Sequence, residues 1–454
     1  MAEHSPSSLA DRILITLTGN IFPPAAALVM TPILARSLGV DGRGQLASVI
    51  SPYLLLVTLA SFGVPEAVTY FVASNPQTAR IATRWASLIA CFTGAAVVVA
   101  LVALRGWLSD GNAELAQLIL IAACAIVPAV CLGVVRGTAS GLHLWRLVAA
   151  ERLLTSVGML AAVIVVAGTG KLTVTVATLI ITLVPVVGVL AYCPLLRELR
   201  PSTEPSTTAA PGAILGYGSR IWLGAVSGIL LVRLDQALMN PIAGAHELGL
   251  YVVAVSISEI PLIVNSTVRD VTFADQAASS SPEILAASAR ISSSACAAIG
   301  AALLLLLPFL VPYTFGADFT AAVPVAAILI VAVVIGTPGS VAGAGLSGRG
   351  RPGLRSASLA VACVANLILM VILVPKFGAI GAAWATMAGN SLAASLNIVF
   401  LRIYFDVPPS KFLGLRRDDG RLVRRAGRIL LGRIGGSAHG RQRKIERGHR
   451  GGNG

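Results

Sequence analysis

LGVDGRGQLASVIS (38–51) and AGAHELGLYVVAVS (243–256) are the two stretches on which the fold is read. Each has a glycine, four residues, a second glycine and then an apolar run rich in small residues. Gly39 and Gly44 in the first stretch correspond to Gly244 and Gly249 in the second, 205 residues on. A second pair keeps the offset: GTGKLTVTVAT (168–178) and VPKFGAIGAAWAT (374–386) are short turns with one lysine each, Lys171 and Lys376, followed by Ala-Thr. Two copies of one unit are the simplest account. A phosphate cradle at 38–51 would open a helix after a strand; no strand pattern precedes it, and its counterpart lacks an arginine. The stretch reads as a turn between two apolar helices.

The rest of the chain supports this. It is 56% hydrophobic and 12% charged, against about 25% charged for a soluble domain. Apolar stretches of roughly 20 residues recur throughout, the length a membrane helix needs; a β-barrel would show short alternating segments instead. Punctuation by Gly, Pro and charge predicts twelve spans, near 13–35, 45–72, 85–104, 114–135, 152–169, 172–192, 213–239, 248–268, 287–310, 321–343, 356–374 and 377–401. The fold class expected is an all-α integral membrane protein of about twelve transmembrane helices in two pseudo-symmetric six-helix bundles. Both units then enter the membrane from the same side, as in transporters with parallel repeats. The expected organisation is a first lobe at 1–192, a polar, Pro-rich linker at 193–212, a second lobe at 213–402 and a basic tail at 403–454.

Basic residues orient the spans. With a cytoplasmic N-terminus, 15 Lys and Arg outside the tail fall on inside connections; 5 (Arg36, Arg43, Arg105, Lys171, Lys376) fall outside, which favours both termini in the cytoplasm. The Ala-, Gly- and Arg-rich composition suggests a high-GC bacterium, so the location expected is the bacterial cytoplasmic membrane. MAEHSPSSLADR has no basic n-region, so no cleaved signal peptide is expected. The net charge of +14 comes largely from the tail, which holds 13 of the 34 Lys and Arg. It reads as a tail held at anionic headgroups, with RLVRRAGRILLGRI (421–434) as a short surface helix. No aromatic residues interleave with its arginines, so no nucleic-acid partner is expected. The six cysteines lie in or beside apolar runs without a CxxC pair, and the five histidines do not cluster; no metal or other cofactor is expected.

PILARSLGVDGRGQLASV followed by LASFGVPEAVTYFVA resembles the start of the polysaccharide-biosynthesis flippases of the multidrug/oligosaccharidyl-lipid/polysaccharide exporter superfamily. VRLDQALMNPIAGAHELGLYVVAVS resembles that family's seventh and eighth spans, YTFGADFTAAVP its turn between spans nine and ten, and PKFGAIGAAWAT its last hairpin. The similarity covers residues 10–402. It implies an alternating-access transporter moving a polyprenyl-pyrophosphate-linked oligosaccharide between leaflets, with proton or sodium coupling and envelope polysaccharide assembly enzymes as partners. A cation-coupled multidrug antiporter of the same superfamily is the alternative, and a flippase-like scaffold acting through its tail a third reading. Outside connections are short and hold no carboxylate pair, so an enzyme is not expected.

Ionisable groups inside a membrane are costly and mark functional candidates. Glu259 sits about 8 residues into span 8, roughly 12 Å deep. Asp235, near the outer end of span 7, matches the acid of the family pattern, and Glu66 lies toward the inner end of span 2; these three are the coupling-ion candidates. Arg233, two residues from Asp235, does not share its helix face. Asn20 precedes Pro23-Pro24, a pair expected to kink the first helix. Arg12, Arg220 and Arg269 sit at the inner ends of spans 1, 7 and 8, which line the cleft in this superfamily, and could bind a pyrophosphate head bidentately. Arg36, beside the opening turn, could meet the head as it leaves. Arg12, Asn20, Arg36, Arg220, Arg233 and Arg269 are the substrate-path candidates.

Overall fold

A computed structural model describes residues 9–109, 111–195, 210–278, 280–412 and 414, without the side chains of 9–21, 223–225, 227, 231, 274, 275, 277 and 278. Before the linker come α1 (Leu9–Ser61), α2 (Val64–Ser74), α3 (Ala79–Leu108), α4 (Ala113–Cys124), α5 (Ile126–Gly141), α6 (Trp145–Gly168) and α7 (Val174–Val187). After it come α8 (Pro211–Ser258), α9 (Ile260–Ala278), α10 (Pro282–Phe315), α11 (Ala322–Gly348) and α12 (Pro352–Phe405). Nine described helices are long and apolar enough to cross a membrane.

Three helices are too long for one crossing. α1, α8 and α12 have 53, 48 and 54 residues; a straight helix of that length spans roughly 75 Å, more than twice the ~30 Å of hydrocarbon. Each leaves helical geometry at one glycine: Gly39 (φ 69°), Gly244 (φ 84°) and Gly378 (φ 54°). This left-handed backbone is open to glycine without the Cβ penalty. Long-range contacts prove the reversal. Tyr251 OH donates to Asp235, 16 residues away, which a straight helix would separate by roughly 24 Å. Asn366 Nδ2 donates to Thr386 Oγ1 at 3.4 Å across 20 residues. In α1, Leu34 and Leu46 share one buried cluster. With each hairpin counted as two crossings, and α2, α5 and α9 continuing the segments before them, the described residues make twelve.

The details differ from the sequence expectation in two places. Span 2 breaks at Phe62 (φ 45°) and Gly63 (φ 67°) before resuming as α2. Span 4 is split at Ala125. Pro23 and Pro24 lie inside α1, whose single residue of non-helical φ/ψ is Gly39.

The six connections at one end of the bundle each hold a left-handed glycine: Gly39, Gly111, Gly170, Gly244, Gly316 and Gly378. Gly39/Gly244 and Gly111/Gly316 keep the 205-residue offset. At this turn end the two repeated stretches meet. A Cβ on Gly44 would overlap the Ala245 carbonyl, and one on Gly249 the Val40 carbonyl, so the backbones touch directly. Asp41 Oδ1 and His246 Nδ1, 205 residues apart, lie 3.0 Å from each other beside that contact. Toward the opposite end Gly63 packs on Gly218, Trp222 Nε1 donates to Leu59 O at 3.0 Å, and Tyr70 stacks on Tyr217 at 4.4 Å. The apolar core divides accordingly. One large cluster is built mostly from α8, α10, α11 and α12, another from α1 to α5.

Candidate functional site

Between α8, α9, α11 and α12 lies a cavity of about 300 Å³. Val232 and Asp235, three apart, present one face of α8; Val255, Glu259, Leu262, Asn265 and Arg269 continue a single stripe down the return helix. Thr337, Ser340, Thr386, Asn390 and Asn397 supply hydroxyls and amides opposite. Asp235 is 5% exposed. Besides the Tyr251 hydroxyl it accepts the Gln236 backbone N–H at 2.7 Å. Tyr251 OH also lies 2.9 Å from Thr386 Oγ1, so α8 and α12 converge on one carboxylate.

Because a single glycine makes the turn, the return helix begins at 245. Asp235 lies roughly 13 Å and Glu259 roughly 22 Å from the turn end along the helix. Arg269 and Arg355 line the far end of the cavity. Charge therefore runs from acidic at mid-depth to basic at the end opposite the turns. Arg233 points elsewhere, donating through Nη1 to Gln236 Oε1 at 3.1 Å, while its charge reaches Asp235 and Glu259.

A second cavity, of about 500 Å³, lies in the first half against α1, with Pro23, Ala26, Ala27 and Met30 on one wall and Arg136, Glu151 and Thr155 on the other. Glu151 is 1% exposed. It accepts a fork from Arg136, Nε to Oε2 at 3.0 Å and Nη2 to Oε1 at 2.9 Å, the bidentate geometry of the stronger ion pairs. Sequence reasoning missed this pair. Glu151 stands in AAERLL beside a predicted span boundary, where an acid reads as solvated, and Arg136 was counted among the inside basic residues.

The other candidates scatter. Arg36 donates to the carbonyls of Thr314 (2.9 Å) and Tyr313, at the last turn of α10, where a cation suits both the free carbonyls and the helix dipole. Arg220 is exposed on α8, and Glu66 is exposed in the first turn of α2; neither lines either cavity. Arg12 and Asn20 lie on α1, but their side chains fall outside the described residues, as do residues 421–434 of the tail. Among the described residues no three His, Cys, Asp or Glu side chains are grouped to hold a metal ion.

Residues 9–273, more than half of the chain, match the family described as polysaccharide biosynthesis protein. The chain belongs to that family. No curated protein matches it by sequence. Solved structures do match. The lipid II flippase MurJ in an inward closed conformation aligns with a TM-score of 0.71 at 12% identity, over 88% of this chain and 89% of that one. An inward-facing MATE family multidrug resistance transporter of the MOP superfamily gives 0.67 at 16% identity, over 86% and 97%. A MOP superfamily transporter from Pyrococcus furiosus, described as having a binding pocket of reverse polarity, gives 0.58 at 15% identity, over 86% and 93%. At such identities the likeness is one of fold. This family member therefore carries the helical membrane fold of the superfamily's flippases and transporters.

Proposed function

We propose that the protein moves a polyprenyl-pyrophosphate-linked oligosaccharide from the inner to the outer leaflet by alternating access, as part of envelope polysaccharide assembly. The observation that carries this reading is the cavity inside the second half, whose charged groups run from Asp235 and Glu259 to Arg269 and Arg355 at its far end. A diphosphate-sugar head cannot cross hydrocarbon bare, because burying unpaired charge costs far too much. A polar path shields the head while the lipid tail stays in the bilayer. No covalent step is required of the protein.

In this reading residues 1–192 and 213–402 are rocking lobes joined by 193–212. The chain sits in the bacterial cytoplasmic membrane with both termini inside, so the basic end faces the cytoplasm and the turn end faces out. Arginines at the basic end attract the head, with Arg12, Arg220 and Arg269 as first contacts. Asp235 and Glu259 exchange a proton or sodium ion that biases the lobes, and Glu66 is the peripheral member of that set. Asn20 serves α1 beside its prolines.

One observation favours a second reading, cation-coupled drug antiport: Asp235 is buried in a cavity deep enough to hold an organic cation. Deleting the gene and analysing extracted polyprenyl-linked glycans separates the two. Accumulation of a lipid-linked oligosaccharide on the inner leaflet, with loss of a surface polymer, is the expected result. An unchanged lipid pool with new sensitivity to cationic drugs overturns the flippase and favours the antiporter.

A further inference from the structure

Three contacts lock α3 and α5 together in the first half. Thr83 Oγ1 lies 2.7 Å from Thr138 Oγ1, and Cys91 Sγ lies 3.6 Å from Cys131 Sγ. A Cβ on Gly94 would sit 3.1 Å from Val127 Cγ2 and 3.4 Å from Val127 Cα. Each step up α3 is matched by a step down α5, so the helices run antiparallel along one seam. Gly94 lets the backbones approach closely, as small residues do between membrane helices. The cysteines, one turn away on each helix, are thereby brought face to face. The pair belongs to the first half alone. At the 205-residue offset Cys296 stands for Cys91, but Gly336 stands for Cys131, and the Cys296 thiol donates to Pro261 O at 3.3 Å. Among the described residues no third His, Cys, Asp or Glu joins Cys91 and Cys131 to hold a metal ion. Cys91 is exposed, on a stretch of α3 that also exposes Leu88 and Phe92. It stands twelve residues into α3 (Ala79–Leu108), roughly 18 Å along it. In a membrane-crossing helix that surface meets hydrocarbon. An ionic oxidant would have to shed its water to arrive there, whereas an apolar one dissolves in the bilayer.

We propose that Cys91 and Cys131 form a dithiol modification site, which closes to a disulfide by passing two electrons to a lipid-soluble quinone. The step balances. Two S–H bonds break and one S–S bond forms, while the two protons and two electrons convert the quinone to its hydroquinone. Closing the present 3.6 Å contact to the ~2.05 Å of a disulfide moves the sulfurs by roughly 1.5 Å, a shift that side-chain rotation supplies. Both cysteines lie in one half, so the bond staples α3 to α5 and leaves the boundary between the halves untouched. They are 40 residues apart, and closing that loop restricts the unfolded chain and stabilises the first half. The site is independent of the flippase reading and needs only the place of these helices in a membrane.

The test uses the full chain reconstituted in phosphatidylcholine vesicles, with decylubiquinone as the lipid-soluble oxidant and ferricyanide as the water-soluble one. After treatment the protein is denatured, its free thiols are blocked with N-ethylmaleimide, and its peptides are read by mass spectrometry. The quinone is expected to give a linked Cys91–Cys131 peptide pair, two hydrogens lighter than the reduced peptides. Maleimide on both thiols is expected to fall at least tenfold and to return after reduction with a phosphine. Ferricyanide is expected to yield less than a tenth as much linked product. Undiminished maleimide labelling of both cysteines after quinone treatment overturns the site, as does linkage of either one to another cysteine. Equal yields from the two oxidants overturn the route through the bilayer. In Cys131→Ser, Cys91 is expected to stay fully labelled after quinone treatment, and its loss there overturns the pairing. Should Cys131→Ser fail to fold, Cys91→Ser, at the exposed position, puts the same question to Cys131.

Discussion

Laid on one another at the 205-residue offset, the two halves share their backbone and differ in their chemistry. The same turns recur, and the glycine contacts at the turn end are reciprocal. Yet Asp235 stands where the first half has Met30, Tyr251 where it has Leu46, and Glu259 where it has Leu54. Conversely, the second half has Val341 and Ser356 in place of Arg136 and Glu151. The fold is duplicated and the polar sites are not. Each half also handles buried charge differently. In the first, Glu151 is held by a bidentate arginine, with the Thr155 and Tyr192 hydroxyls at 3.4 and 3.5 Å from its oxygens. In the second, Asp235 is held by a hydroxyl and a backbone amide, with no cation in ion-pair distance among the described residues. The first arrangement suits structure, and the second suits an exchangeable ion.

That contrast breaks most readily on transport. Asp235→Asn is expected to reduce surface-polymer output at least about tenfold, the worth of one lost interaction with a charged group at ~1.5–3 kcal/mol, with the protein still folded. Arg136→Met combined with Glu151→Leu is expected to keep most of the output. If the double variant is as inactive as Asp235→Asn, the two halves do not divide the work in this way.

The next effect is on stability and falls on the first half. Glu151→Ala leaves Arg136 without its partner, and Arg136→Ala leaves a buried carboxylate alone. Removing one member of a buried pair costs about 3–5 kcal/mol. Because the Arg136 side chain is 37% exposed, the lower figure is expected for Glu151→Ala and the higher for Arg136→Ala. The apolar double variant is expected to recover most of either loss in thermal unfolding. Equal losses for singles and double would mean that packing, not charge, dominates there.

A smaller effect concerns what the halves share. Gly44→Val places a side chain against the Ala245 carbonyl, a backbone atom that cannot swing aside. Overpacking of this kind costs about 1–3 kcal/mol. The cost falls only on the state in which the turn ends touch, so labels at the exposed positions 171 and 376, one in each half, are expected to move apart in distance measurements. Gly39, whose Cβ would meet nothing within 4 Å, supplies the contrast: substitution there strains the turn without prying the halves apart.

Much of this was legible in the residues. The repeat, the turn glycines and the twelve crossings follow from spacing and hydropathy, which depend on local sequence alone. Asp235 and Glu259 stood out because an acid in an apolar run is conspicuous. What stayed hidden depended on contacts distant in sequence. Glu151 and Arg136 looked solvated because each lies near a span boundary, and their pairing is a fact of how α5 packs on α6. Arg43 looked like a turn residue, yet its Nε is buried. The hydrogen bonds of Arg36 to the last turn of α10, more than 270 residues on, were equally out of sight. The span boundaries at the turn were less legible: a hairpin that turns on a single glycine starts its return helix several residues earlier than a polar stretch suggests.

The smallest expected effect separates ornament from mechanism at the turn end. Asp41 and His246 are related by the repeat and lie 3.0 Å apart, but their side chains are 73% and 59% exposed. Exposed pairs contribute at most about 1 kcal/mol, since water screens the attraction and two side chains must be held still. Asp41→Asn is therefore expected to shift stability by less than about 1 kcal/mol and to leave the label distance near its wild-type value, whereas Gly44→Val, one helical turn away, changes it. A larger response to Asp41→Asn would make the polar pair the latch between the halves and demote the glycine contact to filler. The expected order follows from burial: backbone pressed on backbone excludes water, and the pair at the rim does not.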